Sequence, residues 1–375
     1  MRSTATAISA LLLIAGATAC SNFLMSNDYQ ISVRTMDLGS ADLSPGLSWG
    51  LLSIPKGSAG TASRGPAAAQ PTKYAALAFS VLNNSVPAAW SPEMVTGGMN
   101  EVGLSCDSQT LLGSSYPNKT GTSKDLDLSA FCGWALEGYS STLAVKEALD
   151  AKVVVVWGSA QPDAGTHFAL RDATNLSIVV EFIDKQTMVY VDGNDEGKTG
   201  FGVMTNEPPW PWQTENVRHF LWKEGMARSA ISMPGNWYPD ERYLRIYKAK
   251  SSMARPGSYA EAISQAVQVL NTITVPIGEQ IGTDSGVGEG EADHTNYGVV
   301  YDHKRKVVYW RTETNQNLQR VALSDIFSAK SEKPIFLPLM VNELPFYNDA
   351  FKSFKAAAPA PAGDAADAAG VRFRK

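Results

Sequence analysis

Apolar and polar positions alternate along much of this chain in short runs broken by Gly, Pro, Asn and Asp, and few stretches carry a helical period. Cys20-Ser-Asn-Phe-Leu-Met, the polar Ser26-Asn27-Asp28 and Tyr29-Gln-Ile-Ser-Val-Arg-Thr read as strand, turn and return strand, a hairpin from Cys20 to Leu38. Tyr74–Val81 reads as a buried strand. Lys152–Trp157, Thr166–Arg171, Ser177–Ile183 and Thr187–Val191 follow one another at short spacings, which favours antiparallel pairing over helical crossovers. Tyr297–Asp302 and Val307–Thr312 flank the charged turn His303-Lys-Arg-Lys306 as a further hairpin. Helical character shows in Ala130–Leu149. Ser258 followed by Glu261 is a capping box, and it opens a helix whose Ile263, Val267 and Leu270 share a face. Strand pairs interleaved with helices predict an α+β fold built in layers, without an internal repeat.

The two ends depart from this pattern. Residues 1–19 have a basic start at Arg2, an apolar run through Leu11–Ile14 and small residues at Ala17 and Ala19, the pattern of a secretory leader. Cutting after Ala19 leaves Cys20 first, with a thiol and a free α-amine on one residue. Their reference pKa values, about 8.5 and about 7.7–8.0, let either exchange a proton near neutrality. A second reading makes Cys20 a lipid-acylation site and the chain a lipid-anchored, non-catalytic surface binding protein, although the leader lacks Leu at the expected position. Residues 356–375 are rich in Ala and Pro and read as a disordered tail, and Gly, Ser, Ala and Pro in 56–72 read as a surface loop.

Composition narrows the function classes. The net charge is −5 without a basic stripe, which argues against nucleic acid as a partner. No apolar run beyond the leader is long enough for a transmembrane segment. Of three cysteines, Cys106 and Cys132 are either one bridge or two buried thiols. His167, His219, His294 and His303 show no close metal spacing, so no metal is expected. Trp210, Trp212 and Trp237 read as an acyl-pocket lining or as core.

Five segments, taken in order behind Cys20, carry the chemistry: Cys20 itself, Arg34-Thr-Met-Asp37, Gly98-Met-Asn-Glu-Val-Gly-Leu104, Gly202-Val-Met-Thr-Asn-Glu-Pro208, and Pro234-Gly-Asn-Trp-Tyr-Pro-Asp-Glu-Arg242. Tyr297-Gly-Val-Val-Tyr-Asp302 with Tyr309-Trp-Arg-Thr312 is a looser sixth. Together they resemble the choloylglycine hydrolase and penicillin V acylase family of N-terminal-nucleophile hydrolases. The resemblance covers Cys20 to about Leu323. It implies a four-layer αββα sandwich over 20–355 and hydrolysis of a linear, non-peptide amide through a Cys20 thioester. No organic cofactor or metal is implied. The substrates implied are N-acyl amides such as conjugated bile salts, penicillin V or N-acyl homoserine lactones, and a homo-oligomer is compatible with it.

Amide cleavage needs a nucleophile, a proton acceptor and donors aimed at the developing oxyanion. Cys20 supplies the first two, and Arg34, returned beside it by the hairpin, stabilises a thiolate. Asp37 suits the α-ammonium, Asn206 can donate to the oxyanion, and Arg242 fixes the local charges. The family's Asn or Tyr about ten residues beyond its Gly-Met-Asn-Glu is replaced here by Thr110, leaving a backbone N–H as the donor. Thr110 and Trp210 are the candidate substrate contacts.

Overall fold

The computed structural model describes residues 20–25, 27–38, 47–58, 71–83, 90–158, 165–193, 195, 198–227, 233–277, 294–328, 334–339, 344–346 and 348. The expected leader over 1–19, most of the expected loop over 56–72 and the expected tail over 356–375 lie outside the described residues.

Two antiparallel sheets stack face to face. The first runs in spatial order β12 (Val203–Thr205), β1 (Ser21–Leu24), β2 (Ile31–Leu38), β13 (His294–Asp302), β14 (Val307–Thr312) and β15 (Gln319–Ala322). The second runs β11 (Gln186–Val191), β10 (Ser177–Ile183), β9 (Thr166–Arg171), β6 (Ser105–Thr110), β5 (Trp90–Asn100), β4 (Ala76–Asn83), β3 (Leu47–Ile54) and β16 (Phe336–Pro338). A separate parallel pair joins β7 (Asp125–Asp127) to β8 (Val155–Trp157). The helices are α1 (Phe131–Gly138), α2 (Thr142–Asp150), α3 (Trp210–Ala227), α4 (Pro239–Ser252), α5 (Tyr259–Asn271) and α6 (Leu323–Ser328).

Three apolar cores separate four layers. Phe131, Trp134 and Leu136 of α1 and Val145 of α2 pack on Phe168, Val180 and Phe182 of the second sheet. Val217 of α3, Tyr243 and Ile246 of α4, and Ile263 and Leu270 of α5 pack on Phe23, Ile31 and Val33 of the first. Between the sheets, Met36, Leu38, Tyr297, Val299 and Tyr301 meet Trp49, Leu51, Leu77 and Phe79. Strand β2 is buried on both faces because its alternate side chains feed two different cores. Burying one large apolar side chain contributes about 1.5–3 kcal/mol, so these cores, rather than local propensity, hold the strands in place. The α+β reading and the αββα sandwich both stand.

Ala130–Leu149 is helical as expected, in two helices: the chain extends at Tyr139, and the Ser141 hydroxyl accepts from Ala144 N–H at 3.2 Å to start α2 afresh. One local expectation needs correction. Lys152–Trp157 yields only Val155–Trp157, paired parallel with β7, because Lys152 takes a positive φ of 51° in the turn that closes α2. The Ser258 cap is as expected and accepts from Glu261 N–H at 3.2 Å. Cys106 on β6 and Cys132 on α1 form a disulfide with Cα atoms 5.4 Å apart, tying the helical layer to the second sheet.

Candidate active site

The hairpin register builds the site. Ser21 pairs with Thr35 and Asn22 with Arg34 across β1 and β2, while Ser21 pairs with Thr205 on the other side. Cys20 therefore heads the central strand of a three-strand group, between the end of β2 and the Asn206 that follows β12. Its side chain is 3% exposed and packs with Met36, Leu38 and Trp49 in the core between the sheets. The Asp37 N–H donates to Cys20 Sγ at 3.4 Å, and Sγ lies 3.5 Å from the Asp37 carbonyl.

The charged groups around Sγ come from both sheets. Arg34 is fully buried, donates to the Ser108 carbonyl at 2.9 Å and to the Tyr297 hydroxyl at 3.2 Å, and stands 3.8 Å from the Asp107 carboxylate. Asp107 in turn accepts from Asn22 at 2.8 Å and from the Tyr301 hydroxyl at 3.0 Å. Burial lifts the Asp107 carboxyl to about 6, with Arg34 and the hydrogen bonds from Tyr301 and Asn22 pulling the other way. Gly97 is required beneath this pair: a Cβ there would collide with the Asp107 carboxylate and lie 2.8 Å from the Arg34 guanidinium. On the helix-facing side, Thr35 accepts from Ser21 N–H and donates to Asp37 Oδ2, each at 2.9 Å.

Arg242, on the first turn and a half of α4, fastens that helix to the nucleophile. Its guanidinium donates to the Cys20 carbonyl at 2.6 Å, to Ser21 Oγ at 2.5 Å, to the Trp237 carbonyl at 2.7 Å and to Asn206 Oδ1 at 2.9 Å. Asn206 Nδ2 donates to the Thr110 carbonyl at 2.9 Å. Burial pulls Arg242 down to about 10 against the opposing charges of Asp37, Cys20 and Glu207. The Cys20 thiol is pushed up to about 12, first by burial and then by the Asp37 charge, which outweigh Arg34, the Asp37 N–H and Arg242.

Cys20, Arg34, Asp37, Asn206 and Arg242 are brought together, with Thr110 touching Asn206 through its carbonyl rather than a donor. Trp210 stacks on Tyr190 at 4.9 Å and packs with Ala169, Val179 and Met204. Asn100, within the Gly-Met-Asn-Glu segment, is structural. It donates to the carbonyls of Leu136 and Tyr139 and accepts from Val102 and Leu104 N–H, holding α1 to the β5–β6 turn. Sequence reasoning missed Asn22 and Asp107. The sign available was a polar residue at an inward position of a buried strand, but their contact joins residues 85 apart. Among the described residues no three His, Cys, Asp or Glu side chains form a metal-ligand group, and no helix is long and apolar enough to cross a membrane.

A four-layer αββα sandwich with a cysteine heading its inner strand is the fold of the N-terminal-nucleophile hydrolases. The linear amide C–N hydrolases of the choloylglycine hydrolase family match residues 20–327, and the chain belongs to that family. It is 23% identical to a penicillin V acylase of Pectobacterium atrosepticum over 96% of both chains. It is 22% identical to a bile salt hydrolase/transferase of Bifidobacterium longum over 53% of this chain and 64% of that one. An uncharacterized protein of Paramecium bursaria Chlorella virus 1 is 23% identical, and this chain spans 57% of its length. In structure it superposes on a penicillin V acylase from Agrobacterium tumefaciens with a TM-score of 0.68 at 22% identity, covering 91% of this chain and 98% of the other. A conjugated bile acid hydrolase from Clostridium perfringens gives 0.63 at 20% identity, covering 82% and 93%.

Proposed function

We propose that the chain is exported, cut after Ala19, and hydrolyses an N-acyl amide through a thioester on Cys20. The observation that carries this reading is the convergence of Arg34, Asp37, Asn206 and Arg242 on one buried thiol whose residue becomes the N-terminus after cleavage. Export is supported by the leader and by the Cys106–Cys132 bridge, which suits an oxidising compartment. The lipid-anchor alternative fares poorly, because a diacylglyceryl group on Sγ would have to sit inside the core between the sheets.

Cleavage before Cys20 replaces an amide with an ammonium or amine beside the thiol. That charge opposes Asp37 and lowers the thiol from its high value, and the amine form accepts the thiol proton. The thiolate attacks the acyl carbon, and the oxyanion draws on Asn206 Nδ2, oriented by Arg242. The ammonium returns a proton to the leaving nitrogen. Water, deprotonated by the α-amine, then attacks the thioester and releases the acid. The acyl group belongs to the range of penicillin V, conjugated bile salts and N-acyl homoserine lactones.

The test is a panel of those three amide types on mature protein with its N-terminal mass verified. Turnover of at least one, with an acyl adduct on Cys20, is expected. A verified protein with one residue before Cys20 should be nearly inactive. Full turnover by that extended protein, or a diacylglyceryl mass on Cys20, would overturn the reading.

A further inference from the structure

Beside Asn206, the second sheet carries polar side chains that this mechanism leaves unused. Gln109 of β6 stands opposite His167 of β9. Two residues earlier on β6, Asp107 reaches Asn22 and Arg34 of the first sheet, so the strand period turns Gln109 toward that sheet as well. Neighbouring β10 continues the row: His167 Nδ1 lies 3.1 Å from Glu181 Oε1. Glu181 Oε1 also accepts the Trp210 N–H at 2.9 Å, where the first sheet's chain turns into α3. Glu207, adjacent to Asn206, feels the charges of both Arg242 and His167. Gln109, His167 and Glu181 are 3%, 1% and 0% exposed.

Both amide atoms of Gln109, Nε2 of His167, Oε2 of Glu181, Oε2 of Glu207 and the Trp210 indole N–H have no hydrogen-bond partner among the described residues. Leaving one such group unmet costs about 1–3 kcal/mol, and folded proteins keep very few. Six such atoms, on residues that adjoin one another and Asn206, are hydrogen-bonding capacity that the fold itself leaves unmet. The inventory selects its chemistry. Gln109 Oε1, Glu181 Oε2 and Glu207 Oε2 are acceptors, Gln109 Nε2 and the Trp210 indole are donors, and His167 Nε2 takes either role according to the ring's proton. An anion would face two carboxylates. An ammonium would leave both donors unmet. A hydroxyl donates and accepts, and it carries no charge.

We propose that Gln109, His167, Glu181, Glu207 and Trp210 form a polar subsite beside Asn206 that takes an uncharged, hydroxyl-bearing group of the substrate. The inference rests on the reading that Cys20 cleaves an N-acyl amide. On the other side of Cys20, Met36, Leu38 and Trp49 present an apolar wall, so the nucleophile stands on a boundary between polar and apolar halves. The hydroxyl can arrive on the amine or on the acyl part, and the test separates them.

Mature protein beginning at Cys20 is assayed on two matched series. One fixes the acyl chain and varies the amine among ethylamine, 2-aminoethanol and glycine. The other fixes the amine and compares an acyl chain with and without a 2-hydroxyl. In one series the hydroxyl substrate should exceed its deoxy partner by about tenfold or more in kcat/KM, and Gln109→Met should erase that preference. Glu207→Gln, at a half-buried position, should raise the glycine amide relative to the ethylamide by removing a negative charge. Equal kcat/KM within every pair, or a preference that survives Gln109→Met in folded protein, overturns the subsite. If no amide is turned over, the reaction itself has been misread, and calorimetry of the same pairs on mature Cys20→Ala decides the subsite. A binding preference for the hydroxyl ligand that Gln109→Met removes upholds it; equal binding discards it.

Discussion

Arg242 sets the orientation of the Asn206 side chain. A guanidinium has only donors, so its bond to Asn206 Oδ1 fixes the amide nitrogen on the other branch, toward the Thr110 carbonyl. Asn206→Ala should lower kcat by about 10²–10³ with a smaller effect on KM, because the donor strengthens as charge builds on the oxygen. Thr110→Ala should cost far less, since its contact with Asn206 is made by the main chain. Comparing the two variants on one N-acyl substrate checks both claims, and near-wild-type turnover in folded Asn206→Ala removes the residue from the mechanism. Asn206 was legible in the sequence from its place before Pro208. The orienting groups were not, because the Cys20 and Trp237 carbonyls that hold Arg242 are backbone atoms that no residue type announces.

At the scale of elements, the Cys106–Cys132 bridge joins β6, which carries Asp107 and Thr110, to the outer helix α1. It closes a chain segment with a sequence separation of 26. The Cys106→Ser, Cys132→Ser double variant should therefore lose about 2–4 kcal/mol of stability, read from denaturant unfolding of the folded protein. Its kcat per folded molecule should remain near wild type, because the bridge faces α1 while Asp107 faces the nucleophile's sheet. A loss of kcat without a loss of stability would contradict this division. Hairpins and the α5 cap were readable from local pattern, since turn chemistry and Ser258 act within a few residues. The break between α1 and α2 and the parallel β7–β8 pair were not, since both depend on where the chain docks against the second sheet.

Across the whole molecule, α4 is pinned to β1 at both ends: Arg242 on Cys20 and Ser21, and Lys250 donating to the Leu24 carbonyl at 2.8 Å. Burial pulls Lys250 down to about 7, opposed by Asp192 and reinforced by Arg171. A lysine depressed on folding contributes its full stability only above its unfolded value of about 10.4, and that contribution is lost as pH falls through the folded value of about 7. Relative to Lys250→Met, the wild type should thus gain stability steadily from about pH 7 to about pH 10; parallel unfolding curves across that window would refute the assignment. By itself the sequence determined the layered α+β class and the order of the chemistry-bearing segments behind Cys20. Both rest on local period or on spacing along the chain. Only the tertiary structure decided the disulfide, the Asn22–Asp107–Arg34 contact, the place of Trp210 and the row from Gln109 to Glu181. All four depend on which side chains two stacked sheets bring face to face, and that juxtaposition follows from register and packing between residues far apart in the chain.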